Sequence, residues 1–82
     1  MGTREYQYTV LYEPAGEGGF VVTVPALPGL VTEGDTLDEA RLMAEDAIRG
    51  YLESLLKDHL AIPPDREAEA IKEKVSVIVD AA

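Results

Sequence analysis

The fold of this chain is decided by residues 18–40, which read GGFVVTVPALPGLVTEGDTLDEA. The stretch begins with an apolar run at residues 20–24, a pattern typical of a strand near the centre of a sheet. A corner rich in proline and glycine follows, then an extended stretch at residues 30–32 and a turn into a helix. The corner and the turn are formed by Pro25, Pro28, Gly29, Gly34 and Asp35. None of these residues is an obvious catalyst, so the stretch predicts a scaffold whose surface carries its function.

The helix that follows has a clear start. Thr36 and Glu39 form a capping-box pattern, in which the Thr36 hydroxyl accepts from the Glu39 amide and the Glu39 side chain reaches back. Apolar residues then recur at helical spacing, and charges of alternating sign recur every four residues on the opposite face. We therefore predict a helix from about residue 37 to residue 58, ending near His59, with one apolar stripe buried against a sheet.

Strands are predicted on both sides of this region. Residues 4–12 alternate, with Tyr6, Tyr8 and Tyr12 on one face, and a loop containing Gly18 and Gly19 joins them to the next strand. Residues 74–79 carry valines at alternate positions and predict a last strand. The order is then β-β-β-α-β. The right-handed crossover rule would make the last strand parallel to a neighbour. The sequence therefore predicts an α+β fold, with one mixed sheet and one long helix packed on one face.

The length, the composition and the net charge of the chain exclude several classes of function. The chain has 82 residues, which predicts a single domain over residues 1–82. It lacks cysteine, which excludes disulfides, thiolate zinc sites and a cysteine nucleophile. No apolar run is long enough to span a membrane and the N-terminus does not resemble a signal peptide, so we expect a cytoplasmic protein. A net charge of −9 argues against direct binding of nucleic acid by this chain alone. Such a charge suits a basic protein partner, although it also serves solubility.

The side chains that could act as catalysts or metal ligands are better explained by structural roles. His59 stands at a helix C-terminus, where histidine commonly serves the cap or the helix dipole. The clustered acids are turn and cap residues or diverge on the helix, so we predict no catalytic, cofactor-binding or metal-binding residue.

The tyrosine stripe leaves two placements open. If it lies opposite the helix, it forms an exposed aromatic surface suited to protein contact; otherwise it packs under the helix and Leu11 faces out. The candidate partner-binding residues are Tyr6, Tyr8, Tyr12, Glu45 and Glu53.

Three sequence blocks resemble the HicB-like antitoxin family: GGF at residues 18–20, PxLPG at 25–29 and TxGDTxxEA at 32–40. The resemblance implies a truncated ribonuclease-H-like fold without nuclease activity. It also implies a partner, a small basic mRNA-cleaving toxin of the HicA type. Full-length members often add a C-terminal DNA-binding domain, and we expect none here because the sequence ends just after the predicted last strand. The motif residues are expected to be architectural: Gly18, Gly19, Pro25, Pro28, Gly29, Gly34, Asp35, Thr36 and Glu39.

The expectation is therefore a short, non-enzymatic antitoxin that needs no cofactor, binds a HicA-like toxin and self-associates as a dimer or tetramer. Two alternatives belong to different classes. One is a metal-dependent nuclease related to ribonuclease H, which requires carboxylates from separate strands to converge. The other is a structural homo-oligomer that has no toxin.

Overall fold

The computed structural model describes residues 4–67 and 72–80. Its regular elements are three short strands and one long helix: β1 (Leu11–Pro14), β2 (Phe20–Thr23), β3 (Val31–Gly34) and α1 (Leu37–Lys57). The strands form one sheet in the order β1-β2-β3, and both neighbouring pairs are antiparallel. The described part of the chain therefore has an α+β fold, as predicted.

The register of the sheet decides which side chains face the helix. Tyr12 and Thr32 are both paired with Val22, which is fully buried and packs with Ala40 and Ala44 of α1. Because side chains alternate along a strand, the neighbouring row points the other way, and that face of the sheet is not covered by α1. We call it the open face: Leu11, Glu13, Val21, Thr23, Val31 and Glu33.

The proline–glycine corner supplies much of the core. Leu27 is fully buried and clusters with Val24, Leu30 and Leu52. The corner is closed by two backbone hydrogen bonds, from Leu27 N to the Val24 carbonyl at 3.0 Å and from Leu30 N to the Leu27 carbonyl at 3.2 Å. Gly29 has a φ of +86°, a left-handed conformation that residues with a Cβ resist. The corner therefore folds an apolar side chain inward instead of exposing a loop.

Both ends of α1 are capped. The Thr36 hydroxyl accepts a hydrogen bond from the Glu39 amide at 3.1 Å, which satisfies one of the free N–H groups of the first turn. At the other end His59 adopts a φ of +57° and its N–H donates to the Leu56 carbonyl, while Leu60 N–H donates to the Leu55 carbonyl. This pair of bonds is a Schellman motif. The helix bounds agree with the prediction to within one residue.

The helix lies very close to the sheet at its N-terminal end. Ala40 and Ala44 are buried and have small side chains, and Gly34 at the end of β3 is buried beneath them. A Cβ built on Gly34 would lie 2.7 Å from the Ala40 Cα, far inside van der Waals contact. The absence of a side chain at Gly34 thus sets the distance between β3 and α1.

Three predictions about the strands are wrong. Residues 74–79 do not form a strand, and every residue from 72 to 80 is exposed. The first strand is shorter than predicted, since only Leu11–Pro14 is paired and residues 4–10 have no regular structure. The sheet is not mixed, because the strands among the described residues pair only antiparallel. Alternation gives a segment strand propensity, but a strand also needs a neighbour that accepts its hydrogen bonds. The truncated ribonuclease-H-like topology stays a prediction.

Candidate partner-binding surfaces

The structure resolves where the tyrosine stripe lies. Tyr8 packs against the core cluster that contains Leu52, and Tyr12 packs against the cluster that contains Ala44. The tyrosines are therefore on the helix side of the sheet, and Leu11 is on the open face. Of the two placements that the sequence allowed, the second is found: Tyr8 and Tyr12 pack on the helix side and Leu11 lies on the open face.

The tyrosines instead form one wall of a groove between β1, with the residues before it, and α1. The groove has a volume of about 450 Å³. Its apolar lining consists of Tyr6, Tyr8, Val10 and Tyr12 from the first wall, and Ala44, Ile48 and Leu52 from the helix. Arg4, Arg41, Glu45 and Arg49 line it as well. An apolar floor with charged side chains around it can accept an extended segment of protein.

The rim of the groove is more positive than the rest of this acidic chain. Three of the four arginines in the sequence line it. Two of them form ion pairs along α1, Arg41 with Asp38 at 3.1 Å and Arg49 with Glu45 at 2.9 Å and with Asp46 at 3.0 Å. All of these side chains are more than half exposed, so the pairs contribute little to stability. They are available to exchange partners when another chain approaches.

At one end of the groove, residues 63–65, which follow α1, are hydrogen-bonded to the segment before β1. The Tyr8 hydroxyl donates to the Pro63 carbonyl, and both the amide and the hydroxyl of Thr9 donate to the Asp65 carboxylate at 2.8 Å. These hydrogen bonds from Thr9, the amide bond first, lower the pKa of Asp65. Burial raises the pKa of Tyr8, helped by the nearby Tyr6 and Asp65. We call the Thr9–Asp65 and Tyr8–Pro63 contacts the clasp, because they fasten residues 63–65 to the segment before β1.

The open face offers a second surface, of different character. Its middle row, Glu13, Val21 and Glu33, follows from the strand register and places two carboxylates beside an apolar centre. Val31, on the edge strand, is 66% exposed. A shallow hollow of about 450 Å³ runs around this edge and is lined by Val21, Val31, Thr32, Glu33 and Met43. Sequence reasoning missed this surface because it followed the tyrosines, although the apolar residues at Leu11 and Val31 indicated it.

The structure places the five predicted partner-binding residues in different surroundings. Tyr6, Tyr8, Tyr12 and Glu45 line the same groove, whereas Glu53 is exposed on α1 outside it. Among the residues of ranges 4–67 and 72–80, no three histidine or acidic side chains lie close enough together to hold a metal ion. Within those same ranges, no helix combines the length and the apolar character needed to cross a membrane.

Comparison with known proteins gives a consistent family assignment. A model of the HicB-like antitoxin of bacterial toxin–antitoxin systems matches residues 8–78. The UPF0150 protein Ta0767 of Thermoplasma acidophilum is 46% identical over 63 residues, which cover 77% of this chain and 91% of that protein. The UPF0150 protein ssr1765 of Synechocystis is 36% identical over 74 residues, covering 90% of each.

The relatives with a named role are longer. Antitoxin HicB of Escherichia coli K12 is 35% identical over 57 residues, which cover 70% of this chain but 41% of that protein. Antitoxin HicB 1 of Photorhabdus laumondii is 40% identical over 60 residues, which cover 73% of this chain and 39% of that protein. The chain therefore spans about two fifths of the length of these two antitoxins.

Proposed function

The chain belongs to the HicB-like antitoxin family of bacterial toxin–antitoxin systems, and we propose that it neutralises a small basic toxin of the HicA type by binding it. The family match over residues 8–78 is the observation that carries this proposal. Relatives named antitoxin HicB support it, as does the net charge of −9, which favours association with a basic protein.

The open face is the surface that suits such a toxin best. Glu13 and Glu33 present carboxylates to lysine or arginine side chains, and Val21 lies between them as an apolar centre. An apolar centre flanked by charge is the usual composition of a protein interface. The groove on the other side of the sheet suits a basic partner less, because its arginines add positive charge and Arg41 and Arg49 already pair with the carboxylates nearby. In this proposal the toxin therefore docks on the open face and makes no contact with the groove.

Binding alone accounts for the activity proposed here. An antitoxin that covers the RNA-binding or catalytic surface of its toxin needs no reactive group of its own, and the proposal assigns the chain no enzymatic step. Because the toxin's substrate is mRNA, the proposal places the complex in the cytoplasm. The main alternative hypothesis is a structural homo-oligomer without a toxin. It predicts that the chain does not restore growth to cells poisoned by the toxin.

Co-expression with the small basic protein encoded beside this gene tests the proposal. Cells that produce that protein alone should stop growing, and production of this chain should restore growth and retain the toxin on an affinity column. Reversing charge on the open face with the double variant Glu13→Lys/Glu33→Lys should weaken binding at least tenfold. Glu53→Lys, which makes the same kind of change on α1 away from the open face, should bind nearly as well as the unmodified chain.

Two results would contradict the proposal at different levels. If the unmodified chain neither rescues growth nor retains the basic neighbour, the antitoxin role is wrong. If rescue occurs but Glu53→Lys weakens binding as much as the open-face variant, the role stands and the docking surface is wrong.

A further inference from the structure

The apolar segment near the C-terminus has no partner within the described chain. Val75, Val77, Ile78 and Val79 are 75–99% exposed, more than any other large apolar side chain described. Residues 72–80 contain neither proline nor glycine, and valines occupy alternate positions. An exposed segment of this kind readily pairs with any free strand edge and promotes aggregation. A soluble form of the protein therefore has to cover it.

The groove beside β1 has the complementary properties. In the sheet order β1-β2-β3, β1 pairs with β2 on one side and has no strand on the other among the described residues. The helix-side wall next to that free edge is apolar, with Ile48 and Leu52 facing Tyr8 across the groove. A strand added at this edge would complete the sheet and cover the apolar wall.

The segment and the groove match in length and in pattern. Six residues in extended conformation span about 20 Å, and the seven residues 6–12 along the first wall of the groove would span about 23 Å if fully extended. If residues 74–79 lie beside β1, then Val75, Val77 and Val79 share one face of the strand and enter the groove together. Ser76 and Ile78 then point to the other face, the side on which Leu11 lies.

We infer that residues 74–79 of one copy pair with β1 of a second copy and fill its groove, so that two copies exchange their C-terminal segments. The clasp fastens Asp65 beside Thr9, which makes the chain leave the domain next to its own groove. Two copies related by a two-fold axis can therefore donate and accept at the same time, and the interface closes on itself.

Charge favours a second copy as the occupant. Two chains of net charge −9 repel each other in general, and the groove is the place where three arginines reduce that repulsion. Glu73 and Asp80 flank the donated segment and can pair with those arginines as the strand docks. Lys72 and Lys74 balance these two acids, so residues 72–80 carry no net charge and their docking adds no net repulsion. This inference goes beyond the proposed function, because the exchange involves no toxin.

The absence of cysteine makes the exchange directly testable in the full chain. A tagged Ile48→Cys chain is mixed with an untagged Val77→Cys chain and oxidised. We expect a disulfide-linked heterodimer as the main product. Replacing Ile48→Cys with Glu53→Cys, which lies on α1 outside the groove, should reduce that product at least tenfold. The double variant Ile48→Cys/Val77→Cys should give linked dimers; an internal disulfide in a monomer would overturn the inference, because the segment would then fill its own groove.

A second measurement does not depend on cross-linking. Light scattering at about 50 µM should give the mass of a dimer for the unmodified chain. Val77→Asp places a charge in the groove and should raise the dimer dissociation constant at least tenfold, whereas Ser76→Asp points away and should change it less than threefold. Helical circular dichroism should be the same for all three proteins. A monomeric unmodified chain, or equal effects of the two aspartates, would overturn the inference, and neither result would bear on the rescue of toxin-poisoned cells.

Discussion

Gly34 shows how a single missing side chain positions a helix. It is buried at the end of β3, and a Cβ there would meet the backbone of Ala40 in the first turns of α1. Because the obstacle is backbone and not the end of a movable side chain, the helix would have to shift away from the sheet. The apolar contacts that Val22 makes with Ala40 and Ala44 would loosen with it.

We therefore expect Gly34→Ala to lower the free energy of unfolding by about 1–3 kcal/mol, the usual cost of overpacking. Gly50→Ala is the matched control, because Gly50 lies inside α1, is exposed and has open space around the position of a Cβ. That variant should raise the free energy of unfolding by about 0.5–1 kcal/mol, since glycine is a poor helix former. Urea denaturation of the three proteins measures both effects. Equal stability of the two variants would show that close packing at Gly34 is unimportant.

At the scale of elements, the clasp connects residues 63–65, which follow α1, to the segment before β1. Asp65 accepts hydrogen bonds from the amide and the hydroxyl of Thr9 at 2.8 Å. These bonds are stronger to the ionised carboxylate than to the protonated carboxyl group, and they therefore lower the pKa of Asp65 in the folded protein. Because the folded-state pKa lies below the unfolded value of about 3.9, the stabilising contribution is complete above that value and is lost as the pH falls through the folded-state pKa.

The prediction is that Asp65→Asn reduces the loss of stability that the unmodified protein shows on acidification below about pH 4. Glu53→Gln is the control, because it removes one carboxylate from α1 without touching the clasp. Thermal unfolding followed between about pH 2.5 and pH 6 would compare the slopes of stability against pH. A slope for Asp65→Asn equal to that of the unmodified chain would mean that the clasp does not form in solution.

The elements that the sequence predicts well are those specified by neighbouring residues. The cap at Thr36 lies three residues from its partner, and the left-handed Gly29 serves a corner whose residues are adjacent. The features that were predicted wrongly or left open depend on distant contacts. The fate of residues 74–79 depends on which strand edge is available, and the side on which Tyr12 lies depends on its register with Val22. Alternation divides a strand into two faces, but only the helix decides which of them becomes the core.

At the scale of the whole molecule, the distribution of charge separates two kinds of association. Acidic side chains outnumber basic ones by 16 to 7, yet three of the arginines gather around one groove. The proposed toxin approaches the acidic remainder of the surface, and the proposed second copy approaches the groove. Long-range attraction should therefore accelerate binding of the toxin, while general repulsion should slow the pairing of two copies.

Ionic strength distinguishes these two effects. The Debye length falls from about 10 Å at 0.1 M salt to about 3 Å at 1 M, so added salt screens the attraction and the repulsion alike. We expect the association rate constant for the basic toxin to fall at least tenfold over that range, with a much smaller change in its dissociation rate constant. The dimer dissociation constant of this chain alone should fall or stay constant. Stopped-flow mixing and light scattering measure the two quantities. A toxin association rate that is insensitive to salt would show that the net charge of −9 plays no part in recognition and serves solubility alone.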